Sequence, residues 1–221
     1  MTAERAWIRL QSGRRLNLLA PDPHGWTHRD LAIGLARTYR WGGHSCWPRP
    51  LSVAQHSLLV LALRQRASLH HPLDRSEALR ELLHDADEGM LSFDPIAPIK
   101  PHLGSDYQNL VDRLRDALAL RYGLTAWDPD SYAAHKRADR LAASSEALHI
   151  AGWDMGDLTE TLGIETRPMS DDPLVAPRGY LAWEPWSADD AAGRFLRMLE
   201  SLISPADWDD GTHLERVGLV P

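Results

Sequence analysis

The sequence has a single cysteine, Cys46, among 221 residues, so no disulfide can form within the chain. That suits a reducing compartment, and the expected location is the cytoplasm. No stretch approaches the ~20 apolar residues that a membrane-crossing helix needs. The opening segment MTAERAWIRLQSGRR carries no apolar core of the signal-peptide kind. No membrane contact is expected. Positive charge is not in excess either: the net charge of −7 argues against a general electrostatic grip on a nucleic acid polymer. It leaves room for a small basic pocket that holds a phosphate. Also missing are an alternation of strands with helices, an internal repeat and a low-complexity linker, which argues against a doubly wound sheet.

What remains is ordinary for a globular chain, with 43% apolar and 25% charged residues. The length predicts one domain over residues 1–221. Its fold class is read as all-α, with a short N-terminal β-hairpin around Ser12-Gly13. Helices are predicted over residues 27–38, 51–67, 75–88, 105–122, 129–150 and 187–203. Ser52 and Asp128 are expected as N-caps, and Gly89 and Gly123 as stops. Residues 39–50 and the proline-rich 92–104 read as loops, 152–184 as irregular, and the tail from Ser204 as loop. LSVAQHSLLVLALRQRA, residues 51–67, is apolar on nearly every side and predicts a helix buried through most of its circumference.

The chemistry concentrates in ELLHDADEGM, residues 81–90. On one continuous helix, His84 and Asp85 point about 100° apart, and Glu88 projects between them one turn on. Asp87 points away and reads as solvated. His56 on the apolar helix and Asp139 in HKRADRLAASSEAL are partners of the right type. Alone, His56 reads as a core histidine and Asp139 as a surface charge. Together, two imidazoles and two carboxylates suit one divalent ion such as Mn, Co or Zn, and less exclusively Mg.

The order His56, His84-Asp85, Asp139 resembles that of the HD-domain metal-dependent phosphohydrolase superfamily. SVAQHS around His56, LLHDADE followed by DPIAPIK, and KRADRLAASSEAL with Glu146 seven residues after Asp139 resemble its YfbR-like 5′-deoxynucleotidase branch. The similarity runs over roughly residues 12–150. The segment SGRRLNLLAPDP looks like the phage and prophage versions, among them the DatZ-like dATP triphosphohydrolases.

The resemblance implies an HD-domain helical bundle, with a metal-site core at about 28–150 and a helical extension at about 152–221. It implies His56, His84, Asp85 and Asp139 as ligands of one metal ion, which would polarise a phosphoryl oxygen and activate water. Glu88 is the expected general acid/base, and Asp94 is placed with it as a catalytic residue. Arg40 and Lys100 are expected to hold the substrate's phosphate, Trp41 to line the sugar site, and His44 to meet the phosphate or the base. Arg49, His102 and Lys136 are further cations that a triphosphate would need. Glu146 reads as a structural partner of an arginine. Cys46 has no base arranged to activate it.

The implied activity is hydrolysis of a small nucleotide, foremost the 5′-phosphate of a deoxynucleoside monophosphate. The alternatives are a triphosphohydrolase acting on dNTPs, a cyclic-nucleotide or dinucleotide phosphodiesterase, and a nucleotide-binding protein without turnover. A homodimer or higher homo-oligomer is expected, with Phe195 and Leu199 on the final helix as candidate contacts.

Overall fold

The computed structural model describes residues 5–203; the loop expected from Ser204 lies outside the described residues. The chain is mostly helical, with one small hairpin in which β1 (Trp7–Arg9) pairs antiparallel with β2 (Arg15–Asn17), Ile8 opposite Leu16. The hairpin is tied to α1 (His28–Arg37) through Asp30. This carboxylate caps the helix in a reciprocal box with Thr27 and also accepts the Ser12 N–H at 2.9 Å.

α2 (Val53–Ala67) is the central rod. Ser52 caps it by accepting the Gln55 N–H, and every residue from Val53 to Arg64 is buried. α1, α3 (Arg75–Leu82), α6 (Pro129–Glu146) and α8 (Ala188–Ile203) pack around it. Phe195, Met198, Leu199 and Leu202 of α8 are fully buried, each stabilising the fold by ~1.5–3 kcal/mol. Phe195 and Leu199 therefore face the core, and the expectation that they form a subunit contact does not hold. Among the described residues, no helix is long and apolar enough to cross a membrane.

The predicted helix over 75–88 is two helices. α3 ends at Leu82, residues 83–85 turn, and α4 (Ala86–Leu91) starts afresh. Gly89 is not a stop but the contact point of α4 on α1. A Cβ on Gly34 would lie 2.4 Å from the Gly89 carbonyl oxygen, and one on Gly89 would lie 2.6 Å from Leu35 Cγ. Only glycine on both helices allows this approach. The actual stop is Ser92, with φ of 52°. We expect Gly34→Ala to force the helices apart at a cost of ~1–3 kcal/mol. That corresponds to a fall in melting temperature on the order of 5 °C for a chain of this size. An unchanged melting curve would show that α4 can move away freely.

Other differences are local. The loop at 92–104 contains a 3-10 turn over Ala97–His102, and the predicted 39–50 loop contains another over Trp41–Gly43. α5 (Gly104–Tyr122) ends at Gly123 as expected. α6 ends at Glu146 and continues as a π-turn over Ala147–Ala151. A short helix, α7 (Met155–Glu160), interrupts the irregular stretch before α8.

Candidate metal centre

The break between α3 and α4 builds the site. It turns His84 and Asp85 off the α3 axis toward α2, where His56 is fully buried in the second turn. His84 Nε2 lies 3.3 Å from His56 Nε2. Asp85 Oδ2 is 3.1 Å from the first and 3.6 Å from the second. From α6, Asp139 Oδ1 approaches His56 Nε2 at 3.5 Å, while its other oxygen accepts from Lys136. Ligand atoms of His56, His84 and Asp139 all lie within 4.8 Å of one another, so this trio can hold a metal ion. Asp85 falls outside that trio but abuts both imidazoles.

The outer ring nitrogens are already committed. His84 Nδ1 lies 2.8 Å from the backbone oxygen of Glu81, which can only accept, so Nδ1 carries the proton. His56 Nδ1 lies 2.6 Å from Glu146 Oε1 and donates to it. In the neutral tautomer that this fixes, each Nε2 turns its lone pair toward the other ring and two carboxylates. A centre made of acceptors alone fits a cation, and the carboxylate or carbonyl behind each histidine sets its tautomer for ligation.

The electrostatics agree. Burial and the Arg40 guanidinium oppose charging His56, but Glu146 and Asp139 outweigh them and its pKa is pushed up to about 9. Burial opposes charge on His84 too, and Asp85 raises it. Burial favours the neutral acids of Asp85 and Asp139, yet the two imidazoles hold both carboxyls far below the usual range. The cluster draws in positive charge.

The rim brings together most of the other predicted residues. Glu88 is 1% exposed. Its Oε1 accepts from Lys100 Nζ at 2.9 Å, and its Oε2 has no hydrogen-bond partner. Burial, Asp85 and Asp94 push its pKa up to about 9 against the pull of Lys100. Lys100 is pushed up to about 12, because Glu88 outweighs its own desolvation. Arg40 lies among acids: Nε donates to Glu146 Oε2 at 2.8 Å, and one terminal nitrogen is 3.6 Å from Asp94 and 3.9 Å from Asp85. Trp41 donates its indole N–H to the same Glu146 oxygen at 3.2 Å from a left-handed backbone, φ 56°. His44 is exposed on that loop, and no contact among the described residues ties its side chain to the cluster.

Three expectations need correction or completion. Asp87 is not solvated: it is 2% exposed and pairs with Arg115 of α5 at 3.2 Å, because the helix break rotates it inward. Arg49 turns away to Glu184 at 2.9 Å. Glu146 does meet an arginine, but it also meets His56. Its signal was the seven-residue step from Asp139, two turns along one face of α6. A second buried set went unseen: Glu81 binds Arg64 at 2.6 Å and His135 at 2.8 Å, and His135 packs edge-on against His84.

No family model matches the chain. It is 42% identical over 161 residues to the uncharacterized protein RCAP_rcc00048 of Rhodobacter capsulatus, an alignment covering 72% of this chain and 81% of the relative.

Proposed function

The chain belongs to the family of that Rhodobacter capsulatus protein, and we propose that it is a divalent-metal-dependent phosphohydrolase of the HD-domain type that acts on deoxynucleotides. The observation that carries the reading is the pair of buried imidazoles facing Nε2 to Nε2, each with its Nδ1–H already engaged in a hydrogen bond, beside Asp85 and Asp139. His56, His84 and Asp139 would hold the ion, with Asp85 beside them. When bound, the ion supplies Lewis-acid polarisation of a phosphoryl oxygen and a water of lowered pKa.

The other residues take roles that follow from their surroundings. Glu88 holds a proton on Oε2, the oxygen that Lys100 does not engage, and can deliver it to the departing oxygen. Arg40 keeps terminal N–H groups at the rim for a phosphate. Asp94 orients Arg40. The 5′-monophosphate is favoured as substrate because the rim has few cations to spare. Lys100 is held on Glu88 Oε1, Lys136 faces the Asp139 carboxylate, and Arg49 points elsewhere.

The test is a panel of deoxynucleotides incubated with Mn(II) or Co(II), with products resolved as phosphate or triphosphate. Inorganic phosphate from 5′-monophosphates is the expected result. Triphosphate from dATP would transfer the protein to the triphosphohydrolases. No turnover by metal-loaded protein would remove the enzyme reading.

A further inference from the structure

Glu146 contributes nothing to the candidate metal trio, yet it touches both sides of the site. Its side chain is fully buried at the C-terminal end of α6. One oxygen accepts from the metal-side histidine, His56 Nδ1, at 2.6 Å. The other accepts from Arg40 Nε at 2.8 Å and from the Trp41 indole at 3.2 Å. No other described side chain hydrogen-bonds to both a histidine of the trio and the Arg40-Trp41 loop.

The backbone around Glu146 reinforces the same joint. Past it, α6 widens into the π-turn, whose carbonyls grip the loop a second time. Ile150 O accepts the Cys46 N–H at 2.8 Å, and His149 O accepts the Trp47 indole N–H at 2.9 Å. π-turns of this kind often mark functional positions. The loop they hold is strained where it carries Trp41: three successive residues, Trp41, Gly42 and Gly43, have positive φ. Such a conformation persists only when its surroundings over-determine it.

Resting on the phosphohydrolase reading above, we propose that Glu146 is a positioning residue that couples metal binding to phosphate recognition. One carboxylate fixes the tautomer of His56 and the orientation of Arg40 and Trp41 together. Only a carboxylate can do both, because all three neighbours are donors. Glutamine has one accepting oxygen. Turned toward His56, it presents its NH2 to two N–H donors on the loop. Turned toward the loop, it presents NH2 to His56 Nδ1, which moves the ring proton to Nε2 and removes a metal-binding lone pair.

The experiment measures two quantities on wild-type protein and Glu146→Gln: the Kd for Mn(II) alone by calorimetry, and KM at saturating Mn(II) for the best nucleotide of the panel. In Glu146→Gln, the metal Kd is expected to rise by ~10–100-fold and KM by about tenfold. Without the ion the two loop donors draw the amide oxygen to their side, and binding the ion turns it back to His56, so both quantities move. A change in one with the other unmoved would overturn the coupling. Two unmoved quantities would do the same. A merely structural role would lower the melting temperature and leave both ratios alone.

Arg40→Lys keeps the positive charge but loses the Nε donor together with the planar fork of terminal N–H groups, so it is read alongside for metal affinity and serves if Glu146→Gln does not fold. It is expected to weaken Mn(II) binding several-fold, although residue 40 is no ligand. An Mn(II) Kd equal to wild type would overturn the proposal. Wild-type protein that binds no Mn(II) would remove the metal reading and the coupling with it. Wild-type protein that binds Mn(II) and turns over, beside variants that match it, would remove the coupling alone.

Discussion

His84→Ala is expected to abolish Mn(II) binding, and Asp139→Asn to weaken it by more than the ~10–100-fold typical of an altered outer partner. Calorimetry on chelator-treated protein reads both. His84 supplies one of the two facing Nε2 lone pairs, and among the described residues the group that can hold an ion contains no third imidazole. Asp139 supplies the oxygen from α6, and the amide of asparagine removes the charge while keeping the shape. The Asp139 side chain is 21% exposed and that of His84 is 5% exposed. Without metal, Asp139→Asn should therefore melt near the wild-type temperature and His84→Ala somewhat below it. The difference shows on adding the ion. An ion held only by the folded state stabilises it by about 2.7 kcal/mol at a hundredfold excess over its Kd. Wild-type protein gains that increment, and His84→Ala gains none. Turnover is lost in parallel. A His84→Ala protein with wild-type metal affinity would place the ion elsewhere and dissolve the site as drawn.

The residue types of the candidate cluster and the helices that carry His56 and Asp139 were legible in the sequence, and the turn that carries His84 and Asp85 was not. An apolar helix with one histidine inside it, and an acid after HKRA, are local features that survive folding unchanged. The break at 83–85 leaves only a faint trace: Leu82, Leu83 and Ala86 continue a helical pattern, no proline interrupts it, and Asp85, the N-cap of α4, makes no side-chain capping hydrogen bond. Gly89 misled for a related reason. A glycine just past a periodic stretch reads as a stop, whereas a glycine required by close approach of two backbones has the same appearance, and its partner Gly34 is 55 positions away. Asp87 followed from the same error, since its direction was taken from a helix that does not run through. Partners distant in sequence were the other blind spot. The 106-residue separation of Arg40 from Glu146 gives periodicity nothing to act on, and the carboxylate's second bond, to His56, spans 90.

Glu88→Gln is expected to lower turnover by ~10²–10⁴-fold, the usual worth of a positioned proton-transfer group, while leaving the Mn(II) Kd near wild type. It should also make the metal-free protein more stable, and that opposite sign distinguishes a catalytic carboxyl from a structural one. Glu88 is buried and crowded by Asp85 and Asp94, and its Oε2 has no partner. Ionising it inside the protein is therefore unfavourable. Its pKa stands at about 9 in the folded chain against an ordinary 4.5, so the folded state binds the proton more tightly than the unfolded one. By linkage, stability falls as pH rises from about 4.5 toward 9, because only the unfolded chain releases the proton readily across that window. Glutamine has no proton to lose. It can still accept from Lys100, so little is sacrificed at Oε1. The stabilisation by Glu88→Gln should thus be small at pH 5 and grow through pH 8, measured by thermal unfolding in the presence of a chelator. A variant that loses both turnover and stability would reassign Glu88 to holding the structure. One that keeps full turnover would transfer proton delivery to another group. An inactive protein that is the more stable for its mutation would show that the chain tolerates an unfavourable buried acid beside Asp85 because the chemistry requires it there.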